Sequence, residues 1–140
     1  MFNPSRDQAR QFFFDAWQKY REGRPLEGLE TVAVEVALLH PEYHHALDDP
    51  EPFLDRDYTP DAGQANPFLH LSLHVAIEEQ LAIDQPPGIR AEFERLRARR
   101  GDRHDALHVV LECLGEVVWQ AQAARAMPDG EAYLECLRRQ

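Results

Sequence analysis

The chain has 140 residues, 44% of them hydrophobic, and a formal net charge of −10. That length suits one domain with a buried core, and the hydrophobic share excludes a disordered chain. The acidic balance argues against nucleic-acid binding, which is driven by clustered Lys and Arg.

The elements follow in order. Asn3-Pro4 is a helix-start signal, a capping side chain followed by a proline tolerated in the first turn. Phe13, Ala16, Trp17 and Tyr20 recur at helical spacing, and Gly23 and Pro25 stop the run. A second helix is predicted over about residues 25–40, with Leu29, Val32, Val36 and Leu39 on one side. Pro41 disfavours helical geometry at His40 and forces a bend or restart, with a short helical piece through Tyr43, His44 and Leu47. Residues 48–65 hold three prolines, a glycine and five aspartates, together with Phe53, Leu54 and Tyr58. A loop this long inside a compact domain is functional or disordered as a rule, and its aromatics point to an ordered loop packed on the helices.

Asn66-Pro67 repeats the cap-then-proline signal and opens a helix to about Asp84, ended by Pro86-Pro87-Gly88. A helix from about Ile89 to Arg100 follows and stops at Gly101. Asp102 caps a long helix to about Ala126, and a last short helix ends at Arg138. No segment alternates with period two. The expected fold is all-α: one domain over 1–140, a compact bundle of five or six helices with one long ordered loop. No window approaches the roughly 18 apolar residues of a membrane span, and the N-terminus lacks the basic head and apolar run of a secretory signal. The expected compartment is the cytoplasm. Cys113 and Cys136 lack Cys-x-x-Cys spacing and sit inside helical patterns, which predicts two free thiols. The arginines from Arg90 to Arg103 alternate with Glu92 and Glu94 and read as a solvated face with ion pairs three or four residues apart.

Chemistry concentrates in the histidines. In the helix after Asn66, Ser72 and Glu79 mark the wet side at about 100° per residue, and His70 and His74 fall within about 40° of the opposite line. Two imidazoles one turn apart can face one cation, with Glu78 a further turn along and a facing helix completing the shell. Glu35, His40 and His44 are the candidate partners from the preceding segment. A mixed nitrogen and oxygen set of this kind suits zinc or iron. The same two histidines also fit a hydrogen-bonded structural or acid–base pair without a metal. His104, His108, Glu112 and Glu116 repeat the four-residue step, but His108 and Glu112 lie more than about 100° from the line through Leu107, Val110, Leu114, Val117 and Ala121. They are expected at the solvent side. Motifs for a serine nucleophile, a zinc protease or a phosphate loop are absent, so no catalytic residue is assigned.

The segments His40-Pro41-Glu42-Tyr43-His44, Arg56-Asp57-Tyr58, Asn66-Pro67-Phe68-Leu69-His70-x-x-Leu73-His74, Glu79-Gln80 and Pro87-Gly88-Ile89 resemble the bacterial family catalogued as domain of unknown function 1841. The likeness runs from about Pro4 to Ala126. It implies a protein of unassigned activity in which the loop and the His70/His74 helix form one structural unit. Two functional readings follow. One is a metal- or proton-handling bundle centred on His70 and His74. The other is a non-catalytic interaction protein that meets a protein partner, or a second copy of itself, through its acidic surface and the 48–64 loop.

Overall fold

A computed structural model describes residues 6–49 and 66–140, and among these the secondary structure is all helical. Seven α-helices lie among them: α1 (Arg6–Arg21), α2 (Leu29–Leu38), α3 (His44–Asp48), α4 (Pro67–Ile83), α5 (Ile89–Arg100), α6 (Arg103–Ala124) and α7 (Gly130–Arg138). A 3₁₀ turn at Pro41–Tyr43 precedes α3. The count exceeds the expected five or six because the restart after Pro41 forms a helix of its own. The start signal at Asn3-Pro4 and nearly all of the 48–65 loop lie outside the described residues, among them Phe53, Leu54 and Tyr58.

The chain divides into two compact units, Met1–Val75 and Ala76–Gln140, with α4 running through the division. In the first unit α1 packs on α2 and α3. Its core joins Phe13, Phe14, Ala16 and Trp17 of α1 to Ala33, Val34, Val36 and Ala37 of α2, with Leu47, Phe68, Leu71 and Val75. The α1 helix closes at Gly23 (φ +70), where Arg24 N–H reaches back to the Lys19 carbonyl, the six-to-one bond of a glycine-terminated helix. Burial on α2 is rotated from the expected side. Its small residues Ala33 and Ala37 face the core, while Leu39 stays half exposed. The helix also begins four residues later than the proline signal suggested, because Gly28 (φ +55) breaks the run and the Glu30 carboxylate accepts from Glu27 N–H instead. At the other end of the unit, Asp48 accepts from Trp17 Nε1 (2.7 Å) and from Arg21 (3.1 and 3.2 Å).

In the second unit α5, α6 and α7 pack on one another around Phe93, Leu96, Leu107, Val110, Leu114, Tyr133 and Leu137. Gly101 (φ +77) ends α5, and Asp102 caps α6 by accepting from Asp105 N–H. Ion pairs Arg95–Glu92 and Arg97–Glu94 confirm the solvated arginine face of α5. Arg95 and Arg99 also donate to the Gln140 carbonyl. The expectation of two free thiols is overturned: Cys113 of α6 and Cys136 of α7 form a disulfide. The two positions are 23 residues apart, and only the packing of α7 on α6 brings them together. Among the described residues, no helix is long and apolar enough to cross a membrane.

Candidate metal centre

The centre grows from the place where α2 stops. Pro41 cannot continue the helix, so His40 leaves it at φ −127° and ψ 66° and turns its ring inward. His40 is 1% exposed, and its Nδ1 lies 2.8 Å from the Val36 carbonyl. A carbonyl oxygen only accepts, so Nδ1 carries the proton, and in the neutral ring the lone pair sits on Nε2. This is how ligating histidines are commonly held, with the far nitrogen tied to a carbonyl and the near one aimed at the metal.

α4 supplies the facing pair. Asn66 Oδ1 accepts from Phe68 N–H (3.0 Å) and Leu69 N–H (3.1 Å), fixing the first turn and with it the register of His70 and His74. His74 is fully buried and His70 half-buried. The three rings cluster tightly: centroids of His40 and His74 are 4.6 Å apart, and those of His70 lie 4.8 Å from each. His70 Nε2 stands 3.1 Å from His40 Nε2. Tyr43 stacks on His40 (centroids 5.6 Å, planes 10° apart) and meets His70 edge-on. Burial raises the Tyr43 phenol above its ordinary pKa, and Glu42 adds to the rise.

Two further histidines, one turn apart on α6, have ring centroids separated by 4.3 Å: His104 and His108. Both are half-buried, not at the solvent side as the helix arithmetic expected. With Leu111 and Gly115 they form a half-buried strip beside Leu107, apart from the buried arc that runs through Val110, Ala106 and Val109. Glu112, Glu116 and Trp119 remain exposed.

Of the remaining residues singled out by sequence, His44 and Glu78 are engaged elsewhere. His44 Nε2 donates to the Ala37 carbonyl at 2.8 Å, and its ring lies 4.6 Å from that of Trp17. Glu35 is exposed on α2. Glu78 forms a two-pronged bond with the Arg103 guanidinium, 3.0 Å at each oxygen. Such a fork uses both carboxylate oxygens.

The profile of one family matches residues 5–139. The chain belongs to that family, described as a domain of unknown function, DUF1841. The match extends past the Ala126 limit of the sequence likeness and takes in α7. No curated protein and no solved structure matches the chain.

Proposed function

We propose that this DUF1841 protein binds one transition-metal ion, zinc or iron, at the cluster of His40, His70 and His74. The observation that carries the reading is the clustering of these three imidazoles, with ring centroids 4.6 to 4.8 Å apart. Donors at about 2.0–2.1 Å from a tetrahedral ion lie about 3.3 Å apart, so modest side-chain rotation closes the shell. Neutral imidazoles suit zinc and iron, whereas calcium and magnesium require oxygen ligands. The Glu78 carboxylate, occupied by Arg103, leaves the set all-nitrogen. The tautomer of His40 adds support, since its Val36 bond presents Nε2 as the donor. A cytoplasmic location and a single functional domain over 1–140 belong to the same reading.

The test is elemental analysis and zinc titration of the full chain, purified without a histidine tag. One ion per chain is expected. His40→Gln and His74→Gln should each abolish uptake while circular dichroism remains helical. Chelation should destabilise the loaded wild type, because an ion bound only by the folded state adds its binding free energy to folding. Absence of uptake by wild type overturns the reading and favours the interaction role.

A further inference from the structure

We propose that Cys136 is a thiol-modification site, the point at which a small thiol or disulfide enters the Cys113–Cys136 couple, with Cys113 as its resolving partner. Both cysteines belong to the second unit, and their surroundings differ. Cys113 is 2% exposed, on the buried face of α6 with Val109, Val110 and Val117. Cys136 is half-buried at the margin of α7, where Tyr133, Leu134 and Leu137 form the buried face and Glu135 is exposed. Thiol–disulfide exchange needs the incoming sulfur to reach the sulfur it joins, so access decides which cysteine reacts first. A reagent in solution meets Cys136 directly, and meets Cys113 only when the helices open.

Two exchanges connect the reduced and oxidised states. In the reduced protein the Cys136 thiolate attacks a small disulfide RSSR, forming Cys136–S–SR and releasing one thiolate RS⁻. The Cys113 thiolate then attacks Cys136 Sγ of that adduct, closing the intramolecular bond and releasing the second RS⁻. The two protons of the protein thiols pass to the released thiolates, and two electrons pass from the protein to RSSR, which leaves as two molecules of RSH. In the reverse direction a small thiol attacks Cys136, and Cys113 departs. Packing holds the pair ready for the second step. The Cα atoms are 5.8 Å apart, a usual separation for bridged cysteines. Buried Tyr133, Leu134 and Leu137, with the Arg95 bond to the Leu137 carbonyl (2.8 Å), keep α7 in place independently of sulfur. The mixed disulfide on Cys136 is therefore short-lived while Cys113 is present, and persists without it.

The test exposes the reduced full chain to oxidised glutathione, quenches by alkylation at intervals and maps the products by peptide mass. In Cys113→Ala the glutathione adduct should form on Cys136 and persist. In Cys136→Ser the remaining thiol should react at least about tenfold more slowly, because a buried group reacts only through local opening. In wild type the adduct should be transient and give way to the intramolecular disulfide. Brief labelling of the reduced wild type with iodoacetamide reads the same order without any substitution, and Cys136 should carry the label first. Equal rates in the two variants overturn the assignment, as does first labelling at Cys113. A wild-type adduct that accumulates removes Cys113 from the resolving role and overturns it too.

Discussion

Reduction of the Cys113–Cys136 disulfide should lower stability substantially while leaving the helices in place. The bond closes a loop across a sequence separation of 23 residues. Releasing that constraint restores chain entropy to the unfolded state, worth about 3 kcal/mol for a loop of this size. For a chain of this length such a loss corresponds to a fall of about 10 °C in the unfolding midpoint. The native state should survive, because α7 is held by more than sulfur. Tyr133, Leu134 and Leu137 are buried, and Arg95 donates to the Leu137 carbonyl at 2.8 Å. Thermal unfolding followed by circular dichroism, with and without reductant, reads both effects. Alkylation and mass measurement under denaturing, non-reducing conditions establish the starting state. Two free thiols in the purified native protein would refute the reasoning, as would midpoints that coincide. Loss of helix signal at low temperature on reduction would instead show that packing alone does not hold α7.

Tyr133 donates to Gln80 Oε1 at 2.7 Å inside the second unit, so Tyr133→Phe leaves a buried acceptor unpaired at a cost of about 1–3 kcal/mol in denaturant unfolding; pairing it with Gln80→Leu should recover much of the loss. Asn66→Ala removes the acceptor for two α4 N–H groups and should cost about 1 kcal/mol by the same assay. Asp48 is held below the usual carboxylate pKa, first by the Trp17 indole N–H and then by Arg21. Its stabilising effect is therefore present above the unfolded-state pKa and is lost as pH falls through the lower folded one. Asp48→Asn should flatten the decline of the unfolding midpoint on acidification below about pH 4, and an unchanged acid limb would contradict the assignment.

The fold was legible wherever termini carried their own chemistry. Asn66-Pro67, Gly101-Asp102 and Gly23 each satisfy or terminate backbone hydrogen bonding locally, so α4, the α5–α6 junction and the end of α1 could be placed from neighbouring residues alone. The start of α2 could not. Pro25 is a good first-turn residue, but Gly28 at φ +55 adopts a conformation incompatible with helix and moves the start to Leu29. The disulfide was invisible for a different reason. Cys113 and Cys136 meet through the packing of two helices, and no spacing within either helix encodes that meeting. Free thiols were expected together with the cytoplasm, and the disulfide removes that agreement, since such bonds persist mainly in oxidising compartments.

Within the centre, legibility followed how close each side chain lies to the middle of a buried face. His70 and His74 both fall within about 40° of the line opposite Ser72 and Glu79, and both are drawn in, His74 completely and His70 in part. His40 was recoverable from Pro41, because a proline that ends a helix leaves the preceding residue free to turn its ring inward. His104 and His108 escaped because they lie, with Leu111 and Gly115, on a half-buried strip of α6 beyond Leu107 that its apolar line does not include. Glu78 shows the converse. Its spacing from His74 is right for a third ligand, yet Arg103 lies 25 residues further along the chain and takes both its oxygens. Periodicity places a carboxylate on a face; a cation from another helix decides whether that carboxylate is available to a metal.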